Sequence, residues 1–126
     1  MHRFLLTIAL IICFSTLAHA QGMSNSIPQV KLANVDSAHT TFATILTNPR
    51  LTTGLPNCKV TEFTISFTIK DGKTFGPYPT HGNMLTDEQK IVLKNIRNEH
   101  VRILVERINI RCDEQDFQPK NIVLDF

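Results

Sequence analysis

Cys58-Lys-Val-Thr-Glu-Phe-Thr-Ile-Ser-Phe-Thr-Ile-Lys70-Asp71-Gly72 is the stretch on which the fold turns. Thr61, Phe63, Ile65, Phe67 and Ile69 alternate with Glu62, Thr64, Ser66, Thr68 and Lys70. Successive strand residues point to opposite faces, so this pattern puts one apolar face on a core and turns the other to water. The run is rich in β-branched and aromatic residues, which suit a pleated, half-buried surface. Asp71-Gly72 then predicts a hairpin with a type I′ turn, because that turn needs positive φ at both central residues.

Downstream, the return strand Lys73 to Thr80 contains Pro77 and Pro79. Proline donates nothing to a ladder, so this strand is expected at an edge or in irregular form, its prolines guarding the edge against pairing. His81-Gly82-Asn83 reads as a loop. Thr86-Asp87-Glu88-Gln89 opens a helix: Thr86 is the N-cap, Gln89 completes a capping box, and two acids face the positive helix end. Val92, Leu93 and Ile96 form its apolar stripe and Lys90, Lys94 and Arg97 its outer face, with the end near Asn98. About ten residues are too few to be stable alone, so the helix is expected to dock on the sheet. Val101 to Cys112 is the second major strand. Val101, Ile103 and Val105 hold one parity and Ile108, Ile110 and Cys112 the other, which predicts a β-bulge near Glu106-Arg107. Asp113 to Pro119 reads as a polar turn. Asn121 to Phe126 alternates again and is expected to be a core strand.

Upstream, Val30 to Leu46 is less legible: Phe42, Ile45 and Leu46 have partial helical spacing in a Thr-rich context. Asn48-Pro49 and Gly54-Leu55-Pro56-Asn57 carry turn chemistry. The N-terminus has the form of an export signal. His2 and Arg3 precede an apolar run, Phe4 to Leu17, and Ala18-His19-Ala20 offers small residues where a signal peptidase reads. The run is about 14 residues, short of the roughly 20 needed for a membrane span. Cys13 follows Ile12 rather than a small residue, against a lipoprotein. Residues 1–20 are thus expected to be a signal peptide cleaved after Ala20, residues 21–29 a flexible mature N-terminus, and residues 30–126 a single domain. The fold class expected is mainly β, an antiparallel β-sandwich-like domain with one short helix.

Bulk composition agrees. The chain has 126 residues, 42% hydrophobic and 19% charged, with formal net charge +2. That is one globular domain rather than a disordered chain. The charge is too small, and Lys and Arg too scattered, for a nucleic-acid surface. Beyond the leader two cysteines remain, Cys58 and Cys112, which allow a single intramolecular pairing. An oxidising compartment favours the bridge; the alternative is two buried free thiols.

Chemistry-bearing residues do not converge. His39, His81 and His100 fall in separate loops without helical metal-ligand spacing, so no metal is expected. There is no Gly-x-Ser-x-Gly elbow and no Gly-rich phosphate loop. A disulfide would remove Cys58 as a nucleophile. Asp113, Glu114 and Asp116 cluster in a turn that lacks EF-hand spacing. Arg97, Arg102, Arg107 and Arg111 read as solvated strand faces, with an Arg-rich interface as the alternative. The expectation is a non-enzyme without a cofactor. A second reading is a small-molecule or glycan-binding domain. Its candidate ligand loop runs from Phe75 to Asn83, where Tyr78 and His81 stand beside two prolines.

Four segments together carry a family resemblance: Cys58-Lys-Val-Thr-Glu-Phe-Thr-Ile-Ser-Phe67, Gly82-Asn83-Met-Leu85-Thr86-Asp-Glu-Gln89, Val105-Glu-Arg-Ile108-Asn-Ile110 and Ile122-Val-Leu124-Asp-Phe126. Over about Val30 to Phe126 the chain resembles the C-terminal domain of the GldM/PorM-type gliding-motility and type IX secretion proteins of Bacteroidetes. It departs from them at Asn98-Glu99-His100, where the family often has Gly, and at Cys112-Asp-Glu-Gln-Asp116, which replaces a Gly-Pro-Asp-Gly-like turn. The resemblance implies a periplasmic β domain that binds an envelope or secreted protein, without the membrane segment and further domains of full-length members. A motor role is not implied.

Overall fold

A computed structural model of the chain describes residues 27–34 and 40–126. The proposed signal peptide, most of the proposed flexible N-terminus and His39 lie outside the described residues. In chain order the elements are β1 (Lys31–Leu32), α1 (Phe42–Thr47), β2 (Leu51–Thr52), β3 (Cys58–Ile69), β4 (Thr74–His81), α2 (Asp87–Ile96), β5 (Val101–Cys112), β6 (Gln115–Phe117) and β7 (Ile122–Asp125). All pairings are antiparallel. The main sheet has the order β4-β3-β5-β6, with β7 also on β5; β1 and β2 form a separate ribbon.

Architecture follows the alternation. Phe63, Ile65 and Phe67 of β3 and Ile103, Val105, Ile108 and Ile110 of β5 are buried on one face of the sheet. A second layer covers them: Leu32 and Leu51 from the ribbon, Ile45 from α1, and Leu93 and Ile96 from α2, all in one continuous core. The fold is therefore mainly β and sandwich-like, as expected, but it has two short helices rather than one. The Thr-rich context that obscured α1 is its own capping chemistry. Thr41 Oγ1 accepts from the Thr44 N–H at 3.2 Å, and Thr47 Oγ1 donates to the Ala43 carbonyl at 2.7 Å.

β3 and β5 are joined through two compensating bulges. Val60 faces Ile110, Glu62 faces Asn109 and Thr64 faces Glu106. One extra residue therefore enters β3 near Thr61 and one enters β5 near Arg107, which takes a φ of 51°. Each bulge flips its strand's parity, so Val60 and Phe63 are both buried, as are Val105 and Ile108. A reciprocal clasp closes the offset. Thr61 Oγ1 donates to the Asn109 carbonyl at 3.2 Å, and Asn109 Nδ2 donates to Thr61 Oγ1 at 3.0 Å. The β5 bulge matches its parity reading; the β3 bulge corrects the reading of Thr61 as an inward residue.

Other local readings change in detail. The Asp71-Gly72 hairpin forms, but its loop is Lys70-Asp71-Gly72 and the turn is not type I′. Gly72 N–H donates to the Ile69 carbonyl at 2.9 Å, and within the loop positive φ falls on Gly72 alone. This is the three-residue loop in which a type I turn precedes a left-handed glycine. Asp71 Oδ1 holds it by accepting from the Lys73 N–H at 2.9 Å. β4 is an edge strand, as its prolines predict, and it extends to His81, which is strand rather than loop. The expected polar turn 113–119 contains β6. Asp113 and Glu114 alone form the connection, since Cys112 already faces Gln115. Helix α2 has the expected capping box and ends at Ile96. Its buried stripe includes Gln89, whose Nε2 donates to Thr80 Oγ1 at 2.7 Å and so ties the helix to β4.

Cys58 and Cys112 form a disulfide between directly opposed residues at the start of β3 and the end of β5. It closes a separation of 54 residues, worth about 4 kcal/mol in the chain-entropy account.

Candidate functional site

A concavity among the described residues lies between two segments far apart in sequence. Ile27 to Leu32 forms one wall and Gln118 to Leu124 the other, enclosing about 770 Å³. Ile27, Val30 and Ile122 give it apolar surface, and Ile27 is 55% exposed. Its described lining carries Lys31 and Lys120 and no carboxylate.

Backbone phase defines what the β7 wall offers. Val101 and Phe126 exchange both backbone hydrogen bonds, at 2.9 and 3.2 Å. Hydrogen-bonded and non-hydrogen-bonded pairs alternate along an antiparallel ladder. With Ile103 facing Leu124 and Leu104 facing Val123, the Leu124 backbone turns to β5, whereas the N–H and C=O of Val123 and Asp125 turn away from it. β7 therefore presents an open strand edge. At the opposite margin of the sheet the β4 edge is interrupted, because Pro77 and Pro79 have no N–H to give a further strand.

Tyr78 and His81 are not brought together. Tyr78 faces Ile65 across the ladder and lies half-buried against Phe67, with ring centroids 6.3 Å apart. His81 faces exposed Glu62 on the other side of β4. Residues an odd number apart in a regular strand point to opposite faces, which separates the two rings of the expected ligand loop. Smaller hollows lie beside the Thr52–Pro56 loop, about 400 Å³, and beside Cys58 and Arg111, about 320 Å³.

Two of the arginines are ion-paired. Arg102 makes a two-pronged contact with Asp125 at 2.7 and 3.3 Å, and Arg111 meets Asp116 at 3.4 Å. Hydrogen bonding to Arg102 holds the Asp125 carboxyl below the ordinary Asp range. Arg107 sits at the β5 bulge and Arg97 caps α2. In the acidic turn Asp113 Oδ2 accepts from Asn57 Nδ2 at 3.2 Å, and Asp116 is held by Arg111. Among the described residues no group of His, Cys, Asp and Glu is arranged to hold a metal, and no helix is long and apolar enough to cross a membrane. His100 stands at the other end of the β5–β7 pair, its Nδ1 3.3 Å from the Phe126 carbonyl oxygen.

Sequence reasoning did not find the groove. Its walls lie some ninety positions apart in the chain, and neither carries a motif. The outward phase of Val123, 49% exposed beside buried Leu124, is the one local trace. Comparison of the chain with family models, curated proteins and solved structures finds no match.

Proposed function

We propose that this chain is an exported, non-enzymatic interaction module of the cell envelope, a counterpart of the GldM/PorM C-terminal domain it resembles, which docks another envelope or secreted protein. The groove beside β7 is the observation that carries the reading: it joins an open strand edge, apolar lining and a cationic rim. These are features that main-chain pairing and side-chain pockets use in recognising a polypeptide. The export-type leader in the sequence and the Cys58–Cys112 disulfide support an oxidising, extracytoplasmic location.

The test is short-range crosslinking of a tagged, natively exported copy, followed by identification of what co-purifies. Reproducible enrichment of one or a few envelope or secretion proteins is the expected outcome. A partner-free protein overturns the reading.

A further inference from the structure

We propose that the groove between β7 and Ile27–Val30 receives an extended peptide segment of another protein, which adds as a strand to β7 and sets an acidic side chain against Lys120. The inference rests on the interaction-module reading and gives that module its surface.

Three observations select this occupant. The first is backbone chemistry. Val123 and Asp125 direct N–H and C=O groups away from β5, where no described residue takes them up. An extended peptide satisfies such an edge along its whole length, rising about 3.4 Å per residue. The second is the asymmetry of the sheet. At the β4 margin Pro77 and Pro79 remove two donors, while β7 carries no proline. Prolines on one margin and none on the other leave β7 the more accessible edge for a further strand. The third is the second wall. Ile27 to Val30 bounds the groove opposite β7 and adds apolar surface beside its open edge. Ile122, Val30 and Ile27 then contact the inward-facing side chains of the peptide. Exposed Lys120, in a described lining without carboxylates, favours an acidic residue at that end.

A displayed library of random linear peptides lacking cysteine, panned against the full exported chain, supplies the probe. Enriched sequences are expected to alternate apolar residues and to carry Asp or Glu at one end. A synthetic peptide of the enriched sequence should slow hydrogen exchange at the Val123 and Asp125 amides. Val123→Pro, which removes one outward N–H, should weaken its binding about tenfold, while Val123→Ala, which keeps that N–H, leaves it nearly unchanged. Lys120→Glu should abolish the preference for acidic peptides. The exchange measurement on the unaltered chain stands even if the proline variant does not fold.

Failure to enrich any peptide overturns the proposal, as do binders that protect other amides. In the latter case the groove assignment falls while the interaction-module reading survives. Protection of Val123 and Asp125 in the unliganded chain overturns it by showing that the chain fills its own groove. A dimer abolished by Val123→Pro overturns it in favour of a second copy.

Discussion

Gly76 shows how much a single position decides. It lies where β4 gains one residue on β3, between the pairs Ile65–Tyr78 and Phe67–Phe75, and takes a φ of 98°. A Cβ there would stand 3.0 Å from the Ile65 carbonyl oxygen and 3.0 Å from the Tyr78 nitrogen, both backbone atoms with little room to yield. Gly82 has a similar φ of 89° but open space around it. Gly76→Ala is therefore expected to cost about 3 kcal/mol and Gly82→Ala about 1 kcal/mol in denaturant unfolding. Equal losses would show that φ alone matters at both sites. The capping box of Thr86 and Gln89 was legible because it is a local exchange of hydrogen bonds. The burial of Gln89 was not, because its second partner, Thr80, belongs to β4.

Elements were readable in proportion to how one-sided they are. β5 showed its bulge because six strongly apolar residues change parity across Glu106-Arg107. β3 hid its bulge because Thr61, which fits either face of a sheet, stands at the extra position. β6 has no apolar alternation of its own, Gln115 and Asp116 being polar, and pairing with Ile110 to Cys112 makes it a strand. β6 and β7 share the same side of β5, one on each side of the bulge, and Arg102 and Asp125 fasten the β7 half. Asp125 titrates below its ordinary range in the folded chain, so the stabilisation from this pair is present above the ordinary Asp range. It is lost as pH falls through the lowered value. Arg102→Gln is expected to bring the Asp125 carboxyl back toward the ordinary range in an NMR titration. An unmoved titration would mean that Arg102 is not the cause.

At the scale of the molecule, stability comes from closing one sheet face with a ribbon and two helices and from stapling one end of the β3–β5 pair. β7 belongs to that closure. Leu124 is 3% exposed, and the Phe126 ring packs 4.7 Å from that of Phe42 on α1. Removing Leu124 to Phe126 is expected to cost ~3 kcal/mol or more through lost burial and a lost strand, and so to lower Tm clearly. An unchanged Tm would remove β7 from the core. The truncation also strips the groove of Leu124, which couples the candidate docking surface to the integrity of the fold.

By itself the sequence determined the β class, the two long strands, the hairpin between β3 and β4, the capped helix and the edge position of the proline strand. Each of these is written in periodicity or in capping and turn chemistry over a few residues. The disulfide was legible as the one intramolecular pairing open to Cys58 and Cys112. Tertiary structure alone decided the pairing of two bulges, the strand character of β6, the separation of Tyr78 from His81 and the groove beside β7. Those features depend on which residues meet across long sequence separations. A strand's open edge in particular is a property of backbone groups that all residues except proline carry alike, so no side-chain pattern announces it.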